Sequence, residues 1–321
     1  MNIAASSLLV LWAGMTVLAC RSSAQQIDRA EVERIITTLS ADDMEGRRVF
    51  SPGIERAARF IEDEFATLEL ETLDGLEGYA QPFKMYSPAA GTTERDLANV
   101  AGMIRGRRQD EIVLFSAHYD HVGIRPPVDG DSIANGANDN ASGTTAVISL
   151  AKYFKALGRP ERTLMFVAFT GEESGGYGSR YFSEQVDPDK IVAMFNIEMI
   201  GKPAQEGPNT AWITGFERSS FGRILQEAVD GTPYSFYPDP YPNQNLFYRS
   251  DNATLARLGV PAHSISTTPI DVDPDYHRVT DEVATLDLDH MTATIEALAK
   301  GAATIVSGAA TPTRVDSSRV N

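Results

Sequence analysis

From about Leu97 onward, short apolar runs alternate with helix-forming stretches, and this alternation restricts the fold more than any other feature of the chain. The runs cover residues 98–104, 112–117, 163–169, 191–197, 211–214 and 260–266. Leu164 to Phe169 contains no polar residue at all, as expected of a strand covered on both faces. Helical patterns fall at about 141–157, 177–185, 219–230, 251–258 and 287–307. Such alternation predicts the α/β class: a three-layer α/β/α sandwich around a mixed, largely parallel central sheet. A chain of 321 residues is long enough to bury one such core.

The N-terminal third reads differently. Leu8 to Ala19 is an apolar run too short to span a bilayer but suited to the core of a signal peptide. Two processing sites compete. Small residues at Ser22-Ser23-Ala24 favour a mature start at Gln25, whereas Val17-Leu18-Ala19-Cys20 is similar to a lipobox and would place a lipid on Cys20. The expectation is therefore a secreted or periplasmic protein, with a lipid on Cys20 as the only membrane attachment the chain suggests. Cys20 is the sole cysteine, so no intrachain disulfide can form. Residues 28–40 carry Val32, Ile35, Ile36 and Leu39 at helical spacing. A second helix follows Ser51-Pro52-Gly53 with Ala57, Phe60, Ile61 and Phe65 on one face, and irregular chain is expected from there to about Glu94. The domain plan is a signal segment at 1–24, N-terminal helices and linker at 25–96, the main domain at 97–310 and a flexible tail at 311–321. A net charge of −16 repels phosphate backbones, which argues against a nucleic-acid partner.

In an open α/β sheet, ligands gather beyond the carboxyl ends of the strands. Run 112–117 leads straight into His118-Tyr119-Asp120, run 164–169 into Thr170-Gly171-Glu172-Glu173, and run 191–197 ends at Glu198. Asp139 sits in Asn138-Asp139-Asn140-Ala141-Ser142-Gly143 just ahead of a helix, and His277 follows much later. Each motif alone is ordinary, since Glu-Glu is usually a solvated loop and Asp-Asn-Ala-Ser-Gly a turn and helix cap. Their joint occurrence at successive strand ends points to two zinc ions, other divalent metals being possible. Two catalytic metals about 3.5–4 Å apart need a bridging group, and the short Asp139 side chain suits that role. His118 with Glu198 and His277 with Glu173 would complete the two sites. Asp120 is expected to hold the second nitrogen of His118, and Glu172 remains as a proton acceptor. His121, His263 and His290 are read as structural or supporting residues.

The segments HYDHVG, NGANDNASG, GEES, NIEMIG and DYHRVTDEVATLD together resemble metallopeptidase family 28, the aminopeptidases with two co-catalytic zinc ions. The resemblance runs from about Leu97 to Val306. It implies a phosphorylase/hydrolase-like fold, ligand roles for His118, Asp139, Glu173, Glu198 and His277, Glu172 as general base, and a cis peptide after Asp139. Two positions depart from the family pattern. Glu198 stands where Asp is more usual, and Ser250-Asp251-Asn252 stands where Ser-Asp-His is common.

The expected activity is hydrolysis of N-terminal peptide bonds in substrates with a free N-terminus. A glutaminyl-peptide cyclase or a carboxypeptidase on the same scaffold, or a silent metal-stabilised binding protein, are the alternatives. Tyr248 and Tyr276 are candidate oxyanion donors by position. The loops at 239–248 and 267–275 would shape the side-chain pocket, with Asp239, Asp271, Asp273 and Asp275 read as loop acids. Oligomeric state leaves no trace in the sequence.

Overall fold

The apolar runs become strands in the computed structural model, which describes residues 26–320 apart from 87–93, 269 and 271. The expected leader, with Cys20 and both processing sites, lies outside the described residues. In chain order the strands are β1 (Ala80–Tyr86), β2 (Glu94–Ile104), β3 (Arg108–His118), β4 (Gly123–Val128), β5 (Asp131–Ala134), β6 (Arg162–Phe169), β7 (Ile191–Ile197), β8 (Thr210–Ile213), β9 (Ser235–Pro238) and β10 (Ala262–Ser266). The α-helices are α1 (Arg29–Leu39), α2 (Pro52–Thr67), α3 (Ser142–Ala156), α4 (Tyr177–Gln185), α5 (Phe221–Val229), α6 (Asn252–Ala256) and α7 (Leu288–Val306). Sequence-level caps start several of them. The side chains of Asp28, Ser51 and Asp287 accept backbone N–H groups at the starts of α1, α2 and α7, and Pro52 opens α2.

Eight strands form one mixed sheet in the order β1-β2-β6-β3-β7-β10-β8-β9. The central strands β6, β3, β7 and β10 are parallel, joined through intervening helices as parallel pairs require. β1 and β2 run antiparallel to their neighbours, as does β8 to β10. The chain steps from β3 to β6 on one side and then to β7 on the other, so its winding reverses at β3. That reversal opens a crevice beyond the carboxyl end of β3, and His118 is the last residue of that strand.

Alternation along the buried strands sorts the core into two layers. Val113, Phe115 and Ala117 of β3 face the same cluster as Leu164, Phe166 and Ala168 of β6, beneath α1, α2, α3, α5 and α7. Leu114, Met165, Val167 and Phe169 face the opposite cluster, covered by Phe182 of α4 and by Leu255 and Ala256 of α6. The three-layer expectation therefore holds, with the helices divided unequally between the faces.

Three segments differ from the sequence reading. β1 lies in the stretch expected to be irregular. It contains Pro82 and is an edge strand, the one place in a sheet where a missing N–H is tolerated. The β4–β5 hairpin was masked in the same way by Pro126 and Pro127. Residues 311–320, expected to be a flexible tail, pack along the domain. Val315 is buried and donates its N–H to Gly259, while Arg314 donates to the carbonyls of Pro188, Ile191 and Leu258.

Phe115 has no exposed surface and stacks on Phe166 and Phe195 at 5.4 and 4.9 Å between ring centroids. Phe115→Ala should lower the unfolding free energy by about 3–5 kcal/mol, read from denaturant titration; a loss below about 1 kcal/mol would mean the centre of the sheet is not packed this way.

Candidate metal centre

Five expected ligands converge from five separate segments: the ends of β3, β6 and β7, the segment ahead of α3, and the loop before α7. His118 Nε2 lies 3.1 Å from Glu198 Oε1 and 3.5 Å from Asp139 Oδ1. His277 Nε2 lies 3.1 Å from Asp139 Oδ2 and 3.0 Å from Glu173 Oε1. Asp139 thus turns one oxygen to each half of the cluster, the placement a bridging carboxylate requires. Tetrahedral zinc with bonds of about 2.0–2.1 Å separates its donor atoms by about 3.3 Å, and these spacings match that edge.

The orientation of the donors supports the same reading. Asp139 Oδ2 and His277 Nε2 are buried and 3.1 Å apart, yet neither has a hydrogen-bond partner. Buried polar atoms left in that state are uncommon, whereas lone pairs aimed at a shared cation account for it directly. The residues present therefore fit divalent metal ions at two adjoining positions. His118, Asp139 and Glu198 would hold one and Asp139, Glu173 and His277 the other, with the sequence departure at Glu198 accommodated.

The geometry sharpens one assignment and changes another. His121, read as structural or supporting, lies against the cluster: its Nδ1 hydrogen-bonds Glu173 Oε1 at 3.1 Å and lies 3.7 Å from Asp139 Oδ2. His121, Asp139 and Glu173 also form a set of donors close enough to share an ion. The signal in the sequence was its place three residues after His118 within HYDH. Asp120 does not hold His118 through its carboxylate, which is 3.8 Å away. The Asp120 carbonyl does so instead, at 3.1 Å from His118 Nδ1. The carboxylate accepts the backbone N–H groups of Glu172 and Glu173 at 3.1 and 3.3 Å, because a fully buried carboxylate needs donors and that turn supplies them. Asp120 is therefore a positioning residue for the Glu-Glu turn. His263 lies outside the cluster, bonded to Thr214 O and Ser219 Oγ, and His290 lies on α7.

A further shell of contacts holds the ligands. Asp281 accepts the N–H groups of Asn138 and Asp139 at 2.8 and 3.0 Å. Ser250 donates to Glu198 Oε2 at 2.6 Å and accepts from Asn196. Asn252, where histidine is more usual, bonds the Phe247 carbonyl and Ser264 and so ties its loop to β10. The Asp139–Asn140 peptide is cis, as the resemblance implied. Behind the site lies Arg47, fully buried, whose guanidinium donates to the carbonyls of Leu39, Tyr119, Asn135 and Gly136. One cation thus joins the end of α1 to two of the segments that carry ligands. Gly136 has φ +57°, and a Cβ there would lie 2.3 Å from the Asp139 carbonyl and 2.5 Å from the His121 ring. Only glycine fits between them.

The cluster opens into a cavity with about 550 Å³ of space including its open mouth, lined by Met199, Trp212, Leu246, Ile270, Tyr276 and Arg249 beside Glu172 and four of the five ligands. Tyr276 stacks on His277 at 3.9 Å between centroids. The loop acids are otherwise engaged: Asp273 and Asp275 pair with Lys202 at 2.5 and 2.7 Å, and Asp271 lies outside the described residues.

Residues 99–302, close to two-thirds of the chain, match the family model for peptidase family M28. The chain belongs to peptidase family M28. Leucine aminopeptidase 1 of Trichophyton rubrum is 28% identical over 197 residues, 57% of this chain and 52% of the relative. The M28 chain thus spans about half the length of that curated relative. In three dimensions it is similar to a zinc aminopeptidase from Bacillus subtilis, with TM-score 0.71 and 14% identity over 89% of this chain and 97% of the other. It is also similar to the glutaminyl cyclase of Porphyromonas gingivalis, with TM-score 0.67 and 16% identity over 87% and 98% of the two chains. These structural likenesses concern the fold.

Electrostatics in the M28 site follow from crowding acids in a buried place. Burial raises Asp120 to about 7, with Glu173 and Asp251 adding to the shift and His118 opposing it. Burial likewise lifts Asp251 and Asp281 to about 6 and holds Glu172 well above the usual carboxylate range. Against its own burial, His277 is raised to about 10 by Asp139 and Glu173. Protons on the imidazoles thus occupy the place that metal charge would take. An acid raised on folding contributes stability that is complete below its unfolded pKa, about 4, and is lost as pH rises through the folded value. For Asp120, Asp251 and Asp281 that window runs from about 4 up to about 6 or 7. Zinc relieves this repulsion and competes with fewer protons as pH rises. The increase in Tm on adding zinc to metal-stripped protein should therefore be several degrees larger at pH 7.5 than at pH 5.5, measured by thermal unfolding. An equal increase at both pH values would contradict the assignment of these acids.

Proposed function

We propose that this chain is a zinc-dependent aminopeptidase using two metal ions and Glu172 as general base. The observation that carries this reading is the join between the cluster and the cavity. A pocket with Met199, Trp212, Leu246 and Ile270 in its wall opens directly onto Asp139, Glu172, Glu173 and Glu198. In this reading the N-terminal ammonium of the substrate lies beside these carboxylates, with the first side chain in the pocket. Asp273 and Asp275, paired with Lys202, are not free for that task.

When bound, the two ions would polarise the scissile carbonyl and lower the pKa of a shared water. His118 and Glu198 would hold one ion, His277 and Glu173 the other, with Asp139 between them. His121 fixes the Glu173 carboxylate through its Nδ1 hydrogen bond. Glu172 lines the cavity, and burial holds its carboxyl above the usual carboxylate range. Its carboxylate takes the proton from the attacking water and returns it to the leaving nitrogen. Asp120 keeps that carboxylate in place by accepting the N–H of Glu172 itself. Of the two tyrosines considered, Tyr276 lines the cavity, whereas the Tyr248 hydroxyl accepts a bond from Arg218. Tyr276 is the better placed to donate to the developing oxyanion.

Glu172→Gln keeps the size of the side chain and removes the base. The variant should retain two metal ions per chain and lose about 10²- to 10⁴-fold in kcat. Metal content by elemental analysis and steady-state kinetics on an N-terminal leucine substrate check this. Full activity with the metals in place would remove Glu172 from the mechanism.

A further inference from the structure

A longer groove adjoins the cavity and shares Glu172, Glu173, Arg249 and Ser250 with it. It holds about 1760 Å³ of open space, against about 550 Å³ for the cavity. One wall is α4 and the turn before it, and the other is the segment 248–258. A peptide whose first residue fills the cavity has its scissile bond at the cluster, and the rest of its chain needs an open path onward. The groove adjoins the cavity at the residues where such a path would begin.

Its charge is unusual for a protein of net charge −16. Arg180, Arg249 and Arg257 line it and are exposed, and beyond Glu172 and Glu173 the only acid in the lining is Glu184. Arg180 donates to the carbonyls of Gly175 and Gly176 and lies over the Tyr177 ring at 5.0 Å. Arg249 donates to Gln244 Oε1 at 3.1 Å. Among the described residues no carboxylate pairs with Arg180 or Arg249. A guanidinium has five N–H donors in a fork that matches a carboxylate, and these few neutral contacts leave donors over. Arg249 lines both cavity and groove, while Arg180 and Arg257 line the groove alone.

We infer that the groove binds the leaving half of the peptide and selects substrates carrying a carboxylate there. The carboxylate is either an acidic side chain in the residues after the cleaved bond or the free C-terminus of a short peptide. This rests on the aminopeptidase reading above, since it takes the amino end to lie in the cavity.

The test compares kcat/KM for N-terminal leucine pentapeptide amides with two aspartates, two alanines or two lysines after the leucine. A leucyl dialanine tripeptide is tested alongside, as free acid and as amide. The zinc-loaded protein should favour the aspartate peptide over the lysine peptide by about tenfold at low salt, and the ratio should fall towards one near 1 M salt. The tripeptide acid against its amide shows whether the terminal carboxylate serves as the source. Arg180→Glu combined with Arg257→Glu should invert the aspartate-to-lysine ratio, a readout internal to each preparation. Equal rates for the three amides, or a ratio unchanged in the double variant, would overturn the inference while leaving the aminopeptidase standing. Failure to cleave any of the peptides would instead remove the reading on which it rests.

Discussion

Asp120, Asp139, Glu172, Glu173, Glu198, Asp251 and Asp281 are gathered at one edge of the sheet, and most of them are buried. Like charges at that density cannot all remain ionised away from water unless cations stand among them. Everything distinctive about the fold near the site answers that constraint. Histidines are interleaved with the acids at 3.0–3.7 Å, where they either share metal ions or hold protons in their place. Acids that are not ligands are given N–H donors, Asp120 from the Glu-Glu turn and Asp281 from the segment carrying Asp139. A permanent buried cation, Arg47, sits behind the group. Burial pulls its guanidinium down to about 10, against the attraction of Asp281, Asp139, Asp120 and Glu173.

Arg47 also shows why the site cannot be assigned to residues 99–302 alone. Its four carbonyl contacts reach α1, the loop after β3 and the segment just ahead of Asp139, and its own carbonyl accepts the N–H of His121. The N-terminal helices therefore form part of the support of the metal centre as well as cover for one face of the sheet. Breaking one buried charge while leaving its partners in place is costly, so this segment and the acid cluster depend on each other.

Much of this was legible in the sequence. Runs such as Leu164–Phe169 could only be doubly covered strands, and a ligand-type residue following each run placed the site at the carboxyl edge before any geometry was known. Position at the strand ends also singled out five residues that the structure brings together, with Glu172 beside them. What stayed hidden was of two kinds. Edge elements such as β1 and the β4–β5 hairpin carry prolines, and their pattern is that of loops because they lack a neighbour to satisfy. Roles within HYDH could not be divided either. Whether Asp120 acts through its carbonyl or its carboxylate, and whether His121 turns towards Glu173, depend on how the β3 and β6 loops pass each other. That is a three-dimensional relation with no periodic trace. Asp251 was equally silent: nothing in Ser250-Asp251-Asn252 signals a buried carboxylate beside the clustered acids.

In the proposed reading the acids lining the cavity give the site a direction, amino end inward and chain outward, which sets an aminopeptidase apart from a carboxypeptidase on the same scaffold. Mass spectrometry of a mixed peptide pool tests it most directly, with free, acetylated and N-terminal glutamine peptides incubated with zinc-loaded protein, with and without chelator. The account predicts loss of single residues from free N-termini only, abolished by the chelator. Shortening from the carboxyl end, or loss of ammonia from the glutamine peptides without shortening, would contradict it.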